Sequence, residues 1–217
     1  MGDLISRLRK LDSCAVSDAL DSLSLPPAVS GIKPQSVSRR IAGNAVTVKL
    51  VEKKQEGSPV RHLCTAAIEK SNADNIIVIE QKTGLDAAGW GGVLSNAAKL
   101  KGVSGVIVEG PARDIDEASE LDFPVYARYS TARTARGRIY ELDFNIEVKI
   151  GEIFVQPGAL VMADMSGVVV IPKNRAEEVL SRAERIVSKE KLMTQAVIRG
   201  EPVSSVMGVD YEKMLGQ

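Results

Sequence analysis

Residues Gly89–Asp114 read GWGGVLSNAAKLKGVSGVIVEGPARD, and the run Asn75–Glu80 ahead of them reads NIIVIE. Asn75–Glu80 is a continuous apolar stretch of strand length, and Gly105–Glu109 is a second one. Between them Val93, Leu94, Ala97, Ala98 and Leu100 recur at helical spacing, which predicts a helix over Gly91–Lys101 with those residues inward. A strand–helix–strand unit whose strands are apolar throughout belongs to a parallel sheet covered on both faces, joined by a right-handed crossover. The second strand runs on into Gly110-Pro111-Ala112-Arg113-Asp114. In open α/β sheets ligands bind at the C-terminal ends of strands, so an adjacent guanidinium and carboxylate at that end form a candidate site.

The glycines sharpen it. Gly91 and Gly92 at the mouth of a helix expose backbone N–H groups, and the helix dipole adds partial positive charge. A carboxylate can sit on the amides of Gly92, Val93 and Leu94, with Arg113 supplying a planar fork for the same group or a neighbouring keto oxygen. Asp114 offers an oxygen ligand to a hard dication that keeps most of its waters. The structural alternative is a glycine-rich turn beside an Arg113–Asp114 ion pair.

Working outward, Asp3 is placed to cap a short helix to Leu11, and Ser13 to cap a second over Cys14–Leu23 that ends at Pro26-Pro27. Ala42–Leu50 alternates as a strand, and Ser58-Pro59 opens a helix to about Lys70. Beyond Asp114, Phe123–Ala127, Glu147–Ile150, Ile153–Val155, Ala159–Ala163 and Gly167–Ile171 are short strands separated by Gly151, Pro157-Gly158 and Ser166-Gly167. They predict a mixed or antiparallel β layer closing the core. Asn174 is placed to cap a long helix to about Arg199, stopped by Gly200, with Val179, Ala183, Ile186, Val187 and Val197 on its apolar face. Residues 1–172 are expected to form one α/β domain. Residues 173–217 are expected to be a helical extension packed on that domain or on a neighbouring subunit.

Composition removes several classes of function. The 217 residues carry 28 Lys+Arg and 28 Asp+Glu, so no net field favours nucleic acid or a membrane surface. No stretch is long and apolar enough to span a bilayer, and Met1–Lys10 lacks the apolar core of a signal peptide, so a cytoplasmic location is the expectation. Met1-Gly2 with Ser6 matches a myristoylation pattern only superficially, since Leu4, Ile5 and Leu8 read as an amphipathic helix. One histidine and two cysteines cannot assemble a zinc site, and any metal should be a hard ion such as Mg²⁺ or Mn²⁺. Cys14 and Cys64 read as packed apolar residues, and His62 as a helix-surface or interface residue with no nucleophile elbow beside it. Lys82, just after a strand, is the alternative of a Schiff base in a class I aldolase, which would remove the need for metal, but nothing around it in the sequence points to a depressed pKa. Arg128, Arg133, Arg136 and Arg138 read as a solvated loop or subunit contact, with a grip on a second substrate carboxylate as the alternative. No G-x-G-x-G turn follows the first strand to support a methyltransferase.

Lys101–Asp114, Ser17-Asp18-Ala19-Leu20 and Val155–Pro172 together resemble the RraA-like / 4-hydroxy-4-methyl-2-oxoglutarate aldolase family, over roughly residues 12–200. The resemblance implies a layered α/β/β/α domain, RraA-like and swivelling-domain-like, assembled as a homotrimer or homohexamer with sites at subunit boundaries. It implies that Gly91–Leu94 and Arg113 hold the carboxylate of a pyruvoyl group and that Asp114 anchors Mg²⁺ or Mn²⁺. The implied reactions are retro-aldol cleavage of 4-hydroxy-2-oxo acids to pyruvate and decarboxylation of oxaloacetate. The aldolases carry an Asp twenty-one positions before the motif Arg, where this chain has Gly92. That Asp is implied to hold the water that moves the proton; Glu109, Asp86 or an acid from a neighbouring subunit are the substitutes the sequence offers. The family also contains non-catalytic regulators of ribonuclease E, which bind a protein partner. They largely lack both the helix beyond Lys173 and the metal-binding Asp, which puts this chain nearer the aldolases. Glu190 on that helix is a candidate acid, with a surface salt bridge as its plainer role.

Overall fold

The fold is that of a computed structural model describing residues 2–53 and 62–208. Helices α1 (Gly2–Leu8) and α2 (Ser13–Ser22) precede a short edge strand β1 (Lys33–Pro34) and the long strand β2 (Ile41–Val51). Then α3 (Thr65–Lys70), β3 (Asn75–Glu80), α4 (Gly92–Leu100), β4 (Gly105–Ala112), α5 (Ile115–Glu120) and β5 (Val125–Ser130) alternate. The second half contributes β6 (Tyr140–Phe144), β7 (Val148–Ile150), β8 (Ile153–Val155), β9 (Leu160–Ala163), β10 (Val168–Ile171), the long helix α6 (Ala176–Ile198) and a last turn α7 (Val203–Val206).

Strands β2 to β5 are parallel neighbours in the order β5-β4-β3-β2, as the apolar runs require, and β1, β9, β10 and β6 extend the sheet antiparallel. Alternation within each strand sorts the core into layers. Val46, Val48, Ile77, Ile79, Val106 and Val108 face α3, α4 and α5, while Ala45, Ile76, Val78 and Ile107 face the β7–β8 hairpin. Ile76, Ile77, Val78 and Ile79 are wholly excluded from solvent, each worth about 1.5–3 kcal/mol of burial relative to exposure. On the outlying strands Leu160, Met162, Val169 and Ile171 turn the other way, onto α1, α2 and the first half of α6. The result is a mixed α/β domain with a curled sheet and a C-terminal helix.

Two acids, Glu80 buried and Glu109 partly buried, tie the hairpin to the sheet. Glu80 accepts from the Lys149 amide at 2.6 Å, and Glu109 accepts from the Gly151 amide at 2.9 Å and from Arg128 Nη2 at 2.8 and 2.9 Å.

Several local expectations need correction. Val93 and Leu100 do not point inward: they are 82% and 89% exposed, and Leu94, Ser95 and Ala98 form the buried face of α4. Positions 93 and 100 lie two turns apart and share the outer face, so the apolar stripe around this helix is wider than the core it covers. Cys14 is likewise exposed, since Ala15, Val16, Ala19 and Leu20 occupy the inner face of α2. Asp12, not Ser13, caps α2, accepting from the Ala15 amide at 2.9 Å, because the Ser13 hydroxyl is committed to Asp164 Oδ1 at 2.6 Å. Asp3 lies inside the first turn of α1, and a 3₁₀ turn over Lys173–Arg175 separates Asn174 from the start of α6. The Ser58-Pro59 start of the third helix lies outside the described residues; α3 itself begins at Thr65, with Cys64 as its N-cap and His62 ahead of it. β6 and α5 were not expected from the pattern: Tyr140–Phe144 is mostly half-exposed, and Ile115–Glu120 is dominated by acids.

Candidate functional site

The glycine loop and the end of β4 meet through a short ladder. The Gly89 amide donates to the Pro111 carbonyl at 2.9 Å, and the Arg113 amide donates to the Trp90 carbonyl at 3.0 Å, so Trp90 pairs in parallel with Ala112. Trp90 anchors the ladder from below. Its indole is buried, stacks on Phe123 with ring centroids 6.2 Å apart, and donates Nε1–H to Ser95 Oγ at 2.9 Å. Ser95 in turn donates to the Gly91 carbonyl at 3.2 Å, which fixes the first turn of α4. The chain's one tryptophan is thus what places Gly91 and Gly92 beside Arg113 and Asp114, a role periodicity does not signal.

Asp114 adopts a left-handed backbone, φ 56°, which Asp tolerates better than most residues. Its Oδ2 accepts from the Gly92 amide at 2.9 Å and from Arg113 Nε at 3.2 Å. The anion on the Gly92 amide is therefore the protein's own carboxylate. Val93 and Leu94 supply the next two first-turn amides, which a helix leaves without intrahelical acceptors. The Arg113–Asp114 contact is at a half-exposed position and engages only Nε, so it contributes little by itself and leaves the outer edge of the guanidinium toward solvent. An open depression of about 370 Å³ is lined by Arg113, Asp114, Ile115, Asp116, Ser130, Thr131 and Ala132.

The space beside Gly92 is filled from another element. A Cβ on Gly92 would fall 1.8 Å from Glu117 Oε2, so the Glu117 carboxylate fills the space of the missing side chain. Sequence reading missed Glu117; the signal available to it was only an acid one turn into the helix after Asp114. The two substitutes it named within the chain are engaged elsewhere. Glu109 is bound to Arg128 and the Gly151 amide, and Asp86 pairs with Arg133 at 3.4 Å.

Other candidates separate from the site. Lys82 Nζ donates to the Gly151 carbonyl and lies 3.8 Å from Glu152, so its amine is engaged by the β7–β8 turn. Arg128 is structural, and Arg133 remains an exposed neighbour whose carbonyl accepts from the Ala88 amide on the glycine loop. Arg138 folds back on the Thr134 carbonyl at 3.1 Å. Cys64 is buried, and that burial, with the charge of Glu141 behind it, pushes its thiol well up, away from a reactive thiolate. Glu190 is half-buried and faces acids: burial first, then Asp12 and Asp18, raise its carboxyl. A larger depression of about 420 Å³ at the opposite end of the parallel strands is lined by Arg9, Arg39, Arg40 and Lys99. Its cations are paired by Asp74, Asp122 and Asp164, so it competes weakly for an anion.

No cluster of three or more His, Cys, Asp or Glu suited to a metal occurs among the described residues. That excludes an all-protein cage from them, not a hydrated ion. Asp114 Oδ1 has no hydrogen-bond partner among the described residues. One carboxylate oxygen with room for water and substrate oxygens around it fits Mg²⁺ or Mn²⁺ and does not fit zinc.

A parallel-sheet α/β protein with an arginine, an aspartate and a helix mouth at one strand end is the class these features define. The chain belongs to the RraA-like family (Aldolase/RraA), which it matches over residues 13–170. A Halalkalibacterium halodurans protein named "Putative 4-hydroxy-4-methyl-2-oxoglutarate aldolase" is 30% identical over 199 residues, 90% of this chain and 89% of that one. A crystal structure of an uncharacterized protein from Pseudomonas syringae pv. tomato superposes with a TM-score of 0.85 at 28% identity, covering 96% of this chain and 98% of that one. Streptomyces coelicolor RraAS2, described as an unusual member of the RNase ES inhibitor RraA family, shares the fold at TM-score 0.80 and 23% identity, covering 88% and 96%. The chain spans only 32% of the length of Legionella pneumophila Protein DlpA, to which it is 28% identical over 200 residues. No helix among the described residues is long and apolar enough to cross a membrane.

Proposed function

We propose that this protein is a divalent-metal-dependent lyase acting on a small dicarboxylic 2-oxo acid. It would cleave a 4-hydroxy-2-oxo acid to pyruvate and a second oxo acid, decarboxylate oxaloacetate, or do both. The observation that carries the reading is the convergence of the α4 mouth, Arg113 and Asp114 at the end of β4. Asp114 Oδ1 would hold Mg²⁺ or Mn²⁺, which when bound supplies Lewis-acid polarisation of the 2-oxo group. Arg113 binds the adjacent carboxylate through its outward edge, and the Val93 and Leu94 amides add dipolar support. In both reactions electrons of the breaking carbon–carbon bond pass toward C2, and positive charge fixed beside that carbon stabilises the enolate. Self-association as a homotrimer or homohexamer belongs to the same reading and is supported by the outward Val93 and Leu100 on the helix that begins at the site.

The test is pyruvate release from oxaloacetate and from 4-hydroxy-4-methyl-2-oxoglutarate with Mg²⁺ or Mn²⁺, corrected for the metal-only rate. Asp114→Ala should lower kcat/KM by about 10²-fold or more, as loss of a principal electrostatic group does. No release by the wild type, or full activity in Asp114→Ala, refutes the proposal. A second reading, a non-catalytic regulator that binds a protein partner or small anion, is favoured by one observation: Asp114 already caps the Gly92 amide. Robust turnover with no specific partner recovered in a pull-down eliminates it.

A further inference from the structure

The depression at Arg113 has a second wall, and it belongs to the loop that follows β5. Ser130 lies beside Ala112 in the parallel β4–β5 register, and the Thr131 amide donates to the Ala112 carbonyl at 2.9 Å. The same loop is tied down again just beyond. The Arg133 amide donates to Thr131 Oγ1 at 3.2 Å, and the Arg133 carbonyl accepts from the Ala88 amide at 3.0 Å. Residue 133 is therefore fixed between the end of β4 and the glycine loop, the two segments that build the site. Its side chain is 67% exposed and meets Asp86 Oδ2 through Nε alone, at 3.4 Å. Among the described residues neither Nη group of Arg133 has a partner, and the Ser130 hydroxyl has none either.

Accepting the lyase reading, a dicarboxylic substrate sets one carboxylate on Arg113 and leaves a second to be held. Adjacent strands run about 4.8 Å apart, comparable to the distance between the carboxyl carbons of a four- or five-carbon diacid. A diacid lying across the ends of β4 and β5 thus carries its far carboxylate from Arg113 to the β5 loop. The acids lining the depression, Asp114 and Asp116, both belong to the start of α5, so the loop wall of Ser130, Thr131 and Ala132 brings no carboxylate of its own. We propose that Arg133 determines specificity for dicarboxylic substrates: its two Nη groups form the fork for the far carboxylate, and the Ser130 hydroxyl adds a donor. The contact differs in kind from that of Arg113. The far carboxylate of a 4-hydroxy-2-oxo diacid keeps its charge throughout cleavage, so Arg133 binds ground state and transition state alike, lowering KM without raising kcat. In oxaloacetate the far carboxylate is the one lost as CO₂, so a grip on it favours the ground state and holds the step back.

Arg133→Gln keeps a polar side chain and removes the charged fork. KM for each diacid that the wild type turns over should rise about tenfold, the scale of a lost charge-assisted pair. Over the same change kcat for cleavage should move by less than about threefold, and kcat for decarboxylation should not fall. Pyruvate, which has no far carboxylate, should inhibit wild type and variant with constants within about twofold of each other, which also shows that the Arg113 side of the site is intact. Arg136→Gln, on the same loop but outside these contacts, should leave KM unchanged. An unaltered KM in Arg133→Gln, an equal rise in the pyruvate inhibition constant, a loss confined to kcat, or the same KM increase in Arg136→Gln overturns the assignment and leaves the lyase reading standing. A wild type that turns over neither diacid removes both.

Discussion

Replacing Trp90 with Phe tests whether this one side chain holds the site in place. Trp90 is 1% exposed, stacks on Phe123 with planes 17° apart, and donates to Ser95. Phe retains one aromatic ring for the stack but gives up the second, about 1–2 kcal/mol of buried apolar area. The lost hydrogen bond adds about 1 kcal/mol. Ser95 keeps its own donation to the Gly91 carbonyl, so no buried donor is orphaned and the penalty stays at that lower level. The sum is about 2–3 kcal/mol, well short of the roughly 3–5 kcal/mol of a truncation to Ala. In urea the midpoint should drop by about 1 M with an unchanged slope. Far-UV circular dichroism must follow it, because the substitution removes the only tryptophan. Ser95→Ala, alone and combined, should give a coupling energy near 1 kcal/mol between two residues in direct contact. A midpoint shift under about 0.3 M would refute the argument that the indole anchors the glycine loop.

Two further outcomes follow from buried groups. Cys14 is exposed and Cys64 buried, its thiol raised by burial and then by Glu141, so an aromatic disulfide reagent should modify Cys14 in the native protein and Cys64 only on unfolding. Rapid native labelling of Cys64 would contradict its packing. Tyr126 is buried, its hydroxyl donating to the Arg39 carbonyl at 2.9 Å, and burial with the Asp164 charge raises it to about 12. The folded chain thus keeps a proton that the unfolded chain releases near pH ~10. The resulting stabilisation is complete below about pH 10 and is lost as pH climbs through about 12. Tyr126→Phe should flatten stability across that window in alkaline urea titrations, and an unaltered slope would rule the tyrosine out as its source.

The sheet was legible because its message is redundant. In Asn75–Glu80 and Gly105–Glu109 every residue but the flanking ones is apolar, and only a strand covered on both faces uses such a run; Ile76–Ile79 are in fact fully buried. The outer strands were legible for a different reason: Gly151 and Gly158, both at positive φ, mark the turns between them. Amphipathic helices were less so. A periodic pattern states that a helix has an apolar side but not how much of it the core covers, which is why Val93 and Leu100 read as inward and lie in solvent. Cap residues failed similarly. Ser13 and Asn174 have suitable side chains, but a cap depends on which acceptors are otherwise occupied, and Asp164 claims the Ser13 hydroxyl from 151 residues away.

The candidate site shows the same division between convergence and occupancy. That Gly91 and Gly92 should approach Arg113 and Asp114 follows from a parallel crossover, which returns each strand's C-terminal end to the same edge of the sheet. What fills the space beside a glycine does not follow, because a glycine's sequence neighbourhood says that room is needed and not for whom. Bare amides at a helix mouth suggest an external anion, yet a strand end that delivers acids 22 and 25 residues later can occupy that mouth from within, as Asp114 and Glu117 do. The absence of an acid at residue 92 is therefore no measure of the acids at the site. Gly92 leaves the room that the Glu117 carboxylate fills, so a side chain added at residue 92 must push that carboxylate aside, whereas shortening Glu117 only empties the space.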